Sequence, residues 1–145
     1  ECSCKQFEIE RYHRKLSGPL LDRIDLQVYV PRLEYADLQS REAGESSAVI
    51  RERVIKARQL QLLRLQGTNL FCKAQMGRRE QNKHCQMEAA AEKLLAKFFT
   101  ALGLSARSHD RIIKVARTIA DLDGSDIITA AHLAEAVQLR TSLNS

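Results

Sequence analysis

The chain has 145 residues, of which 44% are hydrophobic and 28% charged, so it is long enough for one ordinary domain and is not a disordered, collagenous or fibrous protein. Only 5% of the residues are aromatic and two are proline, a composition that favours helices over a β-sandwich. The formal net charge of +5 comes from residues 51–84, which hold nine Lys or Arg against two Asp or Glu, and such a segment either binds a polyanion or forms a solvated helix face.

The amino-terminal part of the chain predicts a short helix and one β-strand. Residues 5–15 are typical of a short helix or turn, which ends at a Ser-Gly-Pro breaker. Residues 24–30 alternate apolar and polar positions, are rich in β-branched residues and end at Pro31, so they are the best strand candidate. A lone strand needs a sheet, and the chain begins with Glu1 rather than Met. We therefore expect a piece of a longer polypeptide whose upstream part supplies that sheet.

The rest of the chain predicts four helices. The first is expected from a cap at Ser46 or Ser47 to about Gln66, and residues 67–85, with two Gly and no clear period, predict a loop with a short helical turn. The apolar side of this first helix is predicted to consist of Ile50, Val54, Ala57 and Leu65. Three further capped helices are predicted to form a small bundle, from Met87 to Leu102, from Ser105 to Leu122 and from Thr129 to Arg140. The second of these has the longest predicted buried stripe, formed by Ile112, Ile113, Val115, Ala116, Ile119 and Ala120.

Two arginines occupy positions suited to binding an anion. Arg107 lies in the first turn of a predicted helix, where free N–H groups and the helix dipole disfavour a cation unless an anion such as phosphate is bound. Arg23 lies between Asp22 and Asp25 at the mouth of the predicted strand, on a rim of the kind that binds ligands. Taken in isolation, each has a simpler explanation. Arg107 would be exposed or paired with Asp110, and Arg23 would form a salt bridge with a neighbouring carboxylate.

Three longer motifs point to one protein family. Residues 2–26 contain C-x-C followed by I-x-R-Y-x-x-K-L-S-G-P-L-L-D-R-I-D-L, and residues 45–64 contain E-S-S followed by V-x-x-A-R-x-x-Q-x-x-R. Residues 104–122 contain L-S-A-R-x-x-x-R-I-I-K-V-A-R-T-I-A-D-L. These motifs resemble, in order, the end of the ATPase core, the following helix and the lid helix of the magnesium-chelatase-like AAA+ proteins, the ComM/YifB group. The resemblance covers nearly the whole chain apart from residues 67–85.

The resemblance implies a mainly α-helical chain, in which a helical lid bundle follows the last strand of an α/β core. Residues 1–31 would be the end of the core and residues 32–145 the lid. It also implies a homo-oligomeric ring, expected to be a hexamer, that binds ATP and Mg²⁺ between subunits. Arg23 matches the arginine finger, which reaches the γ-phosphate held by the adjacent subunit, and Arg107 matches the sensor-2 arginine of the lid. A planar, permanently charged guanidinium suits the charge that builds on phosphoryl oxygens.

The chain also departs from the family pattern. It contains no G-x-x-x-x-G-K-S/T phosphate loop and no apolar strand ending in an acidic pair that could hold magnesium. ATP therefore has neither a cradle nor a metal site within these residues. We expect the chain alone to be catalytically inactive and to carry only the accessory arginines and the lid.

The four cysteines require a separate explanation. A chain with this much apolar residue needs no disulfides, so the cysteines favour a reduced, cytoplasmic setting. The resemblance implies that Cys2 and Cys4 are half of a four-cysteine zinc site, and because a half-site binds weakly, free thiols are expected here. The spacing of Cys72, His84 and Cys85 matches no zinc finger.

Several functions stay open at this stage. In the ComM-like branch the resemblance implies an ATP-driven motor on DNA that acts in homologous recombination during natural transformation, with residues 51–84 as a possible DNA track. In the true chelatase branch the same motor would drive metal insertion into a porphyrin. A non-enzymatic helix-turn-helix module is a third possibility, although the middle of its recognition helix would be apolar. A pure assembly domain with structural arginines is the fourth.

Overall fold

The computed structural model describes residues 3–13, 15, 18–35, 39 and 44–141, and these residues are mainly helical. The α-helices are, in chain order, α1 (Gln6–His13), α2 (Gly18–Leu21), α3 (Ser47–Leu65), α4 (Arg78–His84), α5 (Ala89–Ala101), α6 (Ala106–Leu122) and α7 (Ala130–Thr141). A short 3-10 helix, Lys73–Gln75, lies between α3 and α4. The predicted short amino-terminal helix is confirmed by α1, and no helix in the described ranges has the length and apolarity that a membrane crossing needs.

Helix α6 is the centre of the fold. It packs against α3, α4 and α7, and α7 also packs against α5. Of the predicted stripe, Ile112, Ile113, Ala116 and Ala120 are buried, whereas Val115 and Ile119 pack at the margin of the core. The helix begins as predicted, because the Ser105 side chain accepts a hydrogen bond from the Ser108 N–H group.

The predicted ends of the bundle helices are confirmed. Gly103 and Gly124 adopt φ angles of 57° and 71°, which are strained for residues with a side chain, and they follow Leu102 and Asp123, the C-caps of α5 and α6. Ile128 precedes α7 and Leu133 follows near its start, and both are fully buried, as in a hydrophobic staple. Ile128 also forms an isolated parallel bridge with Met87, which joins the starts of α5 and α7.

Helix α3 confirms one part of its prediction and contradicts another. It begins after the Ser46 cap, and Ala57 and Leu65 are buried as predicted. Ile50 and Val54 are exposed, so their assignment to a buried face was wrong. The reason is that all residues from 47 to 56 are exposed, and only the second half of α3 contacts the bundle.

The predicted strand at residues 24–30 is wrong for the described structure. The segment has no regular secondary structure, and its one backbone bond to the bundle runs from the Gln27 N–H group to the Leu139 carbonyl (2.6 Å). The side chains of Tyr29 and Val30 are 74% and 81% exposed. Because a strand is defined by its partner, and no strand occurs elsewhere in the described residues, the β-propensity of this segment is not realised.

The loop predicted at residues 67–85 is also only partly confirmed. Lys73–Gln75 forms the expected short turn, but Arg78–His84 is a helix that the sequence pattern did not predict. Helix α4 has one buried residue, Gln81, so it lacks the apolar periodicity that identifies a helix in a sequence.

Candidate functional site

The first turn of α6 meets the turn formed by residues 22–25. The Asp22 carboxylate accepts a hydrogen bond from the Ser108 hydroxyl (2.8 Å) and another from the Ser105 hydroxyl (3.1 Å). A protein carboxylate therefore lies at the positive end of the helix dipole. The Ser108 hydroxyl is the main cause that lowers the pKa of Asp22, with help from Ser105, Arg140 and Arg107 and opposition from desolvation.

Two further arginines bind the backbone of the same turn. Arg140, near the end of α7, is buried and donates to the Ile24 carbonyl (2.8 Å) and the Asp22 carbonyl (3.2 Å). Arg111 of α6 donates to the Arg23 carbonyl (2.7 Å) and forms an ion pair with Asp25. The turn is thus bound to two different helices of the bundle.

Arg23 and Arg107, the two arginines singled out from the sequence, are both exposed. The carboxylates on either side of Arg23 pair with Arg140 and Arg111, and not with Arg23 itself. Asp110, the alternative partner of Arg107, contacts the His109 ring nitrogen (3.1 Å). Within the described ranges, neither Arg23 nor Arg107 forms an ion pair, although the charge of Arg107 contributes to the lowered pKa of Asp22.

Sequence reasoning missed Asp22, Arg111 and Arg140 as parts of this site. It expected an anion at the start of α6, and the structure places the Asp22 carboxylate there. The local signal is weak, since Asp22 and Ser105 are far apart in the chain and a single sequence does not show that they are in contact. A phosphate bound by Arg107 would have to lie beside this carboxylate, and not on the helix axis.

The predicted zinc half-site stays a prediction, because one of its two cysteines lies outside the described part of the chain. Cys2 lies outside the described residues, and Cys4 is exposed. No group of three or more His, Cys, Asp or Glu in the described residues could hold a metal ion, so they form neither a zinc site nor a magnesium site. Cys85 is buried, and burial raises the pKa of its thiol.

A second charged cluster, buried near the end of α6, is formed by Asp121 and three cations. Arg64 (2.8 Å) and Arg117 (2.9 Å) form ion pairs with the Asp121 carboxylate, and Lys73 donates to it as well. Burial is the main cause that lowers the pKa of Lys73 to about 8, and Asp121 partly opposes the shift. Sequence reasoning missed this cluster, although two charged residues inside the apolar stripe of α6 were a usable signal.

The Asp121 cluster divides the basic segment at residues 51–84. Arg64 and Lys73 point into the protein, whereas the other Lys and Arg residues of the segment are exposed. These exposed residues are Arg51, Arg53, Lys56, Arg58, Arg78, Arg79 and Lys83. The predicted basic surface is therefore smaller than the sequence count indicates.

Known proteins match the chain over nearly its whole length. Competence protein ComM of Haemophilus influenzae is 42% identical over 134 residues, which cover 92% of this chain and 26% of ComM. YifB of Escherichia coli is 42% identical over 139 residues, which cover 94% of this chain and 26% of YifB. A Mycobacterium tuberculosis relative is 34% identical over 140 residues, with 97% and 28% covered. The chain thus spans 26% to 28% of the length of these relatives.

Two family models also match. The model described as magnesium chelatase, subunit ChlI, matches residues 1–38, and the model described as magnesium chelatase, subunit ChlI C-terminal, matches residues 44–140. The resemblance to the magnesium-chelatase-like ComM/YifB group is confirmed by these matches and by the similarity to ComM and YifB. Since the second model alone covers more than half of the chain, this chain belongs to the magnesium chelatase ChlI family, mainly to its C-terminal region.

Proposed function

We propose that this chain supplies two phosphate-contacting arginines to a ring-forming AAA+ ATPase of the magnesium-chelatase-like family, as its C-terminal part. Arg23 is the arginine finger that acts on the nucleotide of the adjacent subunit, and Arg107 is the sensor-2 arginine. One observation supports this most directly. Arg140 and Arg111 bind the carboxylates that flank Arg23, which leaves Arg23 exposed near the turn of α6 that carries Arg107.

The chemistry of the two arginines fits phosphoryl transfer. Negative charge spreads over the phosphoryl oxygens in the transition state, and a guanidinium stabilises it with two parallel hydrogen bonds. The described residues offer these cations but no group of carboxylates for Mg²⁺, which would neutralise charge on the phosphates when bound elsewhere in the ring. In this proposal residues 1–31 end the α/β core, residues 32–145 form the lid, and Cys2 with Cys4 is half of a zinc site.

ATP hydrolysis by the full-length protein tests the assignment. Arg23→Ala is expected to lower turnover on the order of a thousandfold, because the transition state loses its charge partner. Arg107→Ala is expected to lower turnover and to raise KM for ATP, since the lid arginine also contacts the bound nucleotide. The measurement is a steady-state ATPase assay, with replacement of the exposed Lys97 by Ala as the control.

Mixed rings test whether Arg23 acts in trans. Arg23→Ala subunits are combined with subunits that lack the lysine of the phosphate-binding loop. Activity is expected to return, because an intact finger then faces an intact nucleotide site at some interfaces. Full turnover by Arg23→Ala rings alone would refute the finger assignment, and mixed rings without recovery would refute its action in trans.

We also propose that the full-length motor acts on DNA in recombination. The proposal is supported by the exposed cations of α3 and α4 and by the similarity to ComM, which is named a competence protein. These cations would contact phosphates without reading bases. In the alternative, a true chelatase branch, a porphyrin and a metal ion would be the substrates, and a porphyrin would then stimulate the ATPase in place of DNA.

The salt dependence of DNA binding tests the basic surface. Replacing Arg51, Lys56 and Arg58 together by Ala is expected to reduce the slope of log K against log salt by about 0.9 for each DNA phosphate that the variant no longer neutralises. A control replaces the exposed Lys93 and Lys97 of α5 by Ala. Equal slopes for the triple variant and the wild type would contradict the DNA track at residues 51–84.

The helix-turn-helix alternative is disfavoured by the position of α6, its would-be recognition helix. Only Ala106 and Arg107 at its start and Leu122 at its end are exposed, and its other residues are buried or half-buried against neighbouring helices. A recognition helix must present a polar face to the major groove. The proposal therefore keeps α6 as the lid helix.

A further inference from the structure

The turn that carries Arg23 is bound through its backbone. The carbonyls of Asp22, Arg23 and Ile24 follow one another in the chain, and each accepts a hydrogen bond from an arginine of the bundle. Arg140 binds the first and third carbonyls, and Arg111 binds the second. A guanidinium suits this task because its planar fork holds several donors at fixed angles, which the single ammonium of lysine does not.

Further contacts join the turn to the bundle. The Arg140 guanidinium also donates to the Ser108 hydroxyl (3.0 Å), which in turn donates to the Asp22 carboxylate (2.8 Å). After the turn, the Gln27 N–H group donates to the Leu139 carbonyl (2.6 Å). Both ends of the turn are thus bound to α6 or α7, and the Arg23 side chain is exposed.

We infer that Arg140 and Arg111 are positioning residues for Arg23, which keep the finger and Arg107 on one rigid body. The inference rests on the proposed function, since it assumes that Arg23 contacts a nucleotide. Its consequence is mechanical. When nucleotide binding moves the helix that carries Arg107, the turn at residues 22–25 moves with it, and Arg23 shifts relative to the neighbouring subunit's nucleotide.

Turnover of positioning variants in the full-length protein is the first test. Arg111→Ala is the main variant, because this side chain is 28% exposed and its loss leaves the core intact. We expect kcat to fall on the order of a hundredfold, since a misplacement of about 1 Å has that effect, with KM for ATP unchanged. Arg140→Lys, which keeps the charge and loses the fork, is expected to behave in the same way, and Lys97→Ala is the control.

A double-mutant cycle separates positioning from general destabilisation. In the Arg23→Ala background, Arg111→Ala is expected to cause no further loss, because there is no finger left to position. A variant that merely unfolds part of the protein would lower turnover by the same factor in both backgrounds. If the losses caused by the two substitutions were additive, or if Arg111→Ala kept full turnover while Arg23→Ala did not, this inference would be overturned and the proposed function would stand. Full turnover for Arg23→Ala would overturn the proposed function and the inference with it.

Amide hydrogen exchange tests the contacts without any activity. In this chain the Gln27 amide is expected to be protected, because it donates to the Leu139 carbonyl. Arg140→Lys is expected to speed its exchange at least tenfold while the amides in the middle of α6 stay protected. An unprotected Gln27 amide in the wild type would show that the turn is not held on the bundle, and would overturn the inference.

Discussion

Asp22 places a negative charge beside the first turn of α6. Its carboxylate accepts hydrogen bonds from the hydroxyls of Ser105 and Ser108, and Arg140 lies within ion-pair distance at 3.4 Å. Serine hydroxyls, a helix dipole and two arginines all favour the ionised form, so the pKa of Asp22 lies below its ordinary value of 3.8. The folded state therefore holds this proton less tightly than the unfolded chain does.

Acid titration of stability tests this assignment. Because the folded-state pKa is lowered, the contribution of Asp22 is fully present above pH 3.8 and is lost as the pH falls through the folded pKa. At neutral pH Asp22→Asn is expected to destabilise the chain by about 0.3 to 1 kcal/mol, the usual value for a charge at a helix end. Urea unfolding at several pH values should show this difference shrinking below pH 4.

The exposed Asp126 provides the control for this titration. Its side chain forms none of the hydrogen bonds at the start of α6. Asp126→Asn should therefore leave the contribution of Asp22 to the pH dependence of the unfolding free energy unchanged. A difference between wild type and Asp22→Asn that stays constant down to pH 2 would show that the carboxylate is not held by the serines.

At the scale of helices, the sequence was a good guide wherever the signals were local. The Ser105 cap, the apolar stripe from Ile112 and the end of α6 at Leu122 lie within one helix and its flanks, and these predictions are confirmed. The strand at residues 24–30 and the buried face at Ile50 depended on partners elsewhere. Propensity alone cannot supply a partner strand or a covering helix, and both predictions were wrong for the described structure.

The start of α7 has a reciprocal capping interaction that the sequence did not predict. The Thr129 N–H group donates to Nδ1 of His132 (3.1 Å), and the His132 N–H group donates to the Thr129 hydroxyl (3.5 Å). This is the reciprocal pattern of a capping box, with histidine in the place usually taken by Glu or Gln. The Nδ1 atom accepts a hydrogen bond here, so in this geometry that nitrogen carries no hydrogen of its own.

The candidate site was predictable only where its residues lie in motifs that are local in the sequence. Arg23 and Arg107 stand in motifs that can be recognised along the chain, and both are exposed. Their surroundings come from contacts between residues 22–25 and helices that begin far away in sequence, such as the bond from Arg140 to Ile24. A single sequence holds no signal for such pairs, so the arginines that hold the turn emerged only from the structure.

At the scale of the whole molecule, Asp121 joins three parts of the chain. Arg64 belongs to α3, Lys73 to the 3-10 helix and Arg117 to α6, and all three bind the one Asp121 carboxylate. Three cations face a single anion, so the cluster carries excess positive charge in a largely buried place. Carbonyl groups compensate some of it, because Arg117 also donates to the backbone of Ser125 and Asp126.

Replacing Asp121 is expected to destabilise the protein more than replacing one of its three cations, because it leaves buried cations without a partner. Breaking a buried ion pair from one side costs about 3 to 5 kcal/mol, whereas an apolar replacement of similar shape is often neutral. Lys73→Met removes one of the excess cations and keeps an unbranched side chain. Its effect should depend on pH, because the pKa of Lys73 is lowered from 10.5 to about 8.

The sign of that dependence follows from proton counts. Between pH 8 and 10.5 the unfolded chain keeps the Lys73 proton while the folded chain has released it, so raising the pH favours the folded state.

Cys85 acts in the opposite direction above pH 9.0, because its raised pKa keeps the folded thiol protonated. Because the charge of Lys73 also lowers the pKa of Cys85, both proteins are compared in a Cys85→Ala background, where subtracting their urea unfolding free energies isolates Lys73. The difference is expected to move in favour of the wild type between pH 8 and 10, by at most about 3 kcal/mol over the full window. Parallel curves would contradict the lowered pKa of Lys73, because they would mean that Lys73 keeps its proton in the folded state over this range of pH.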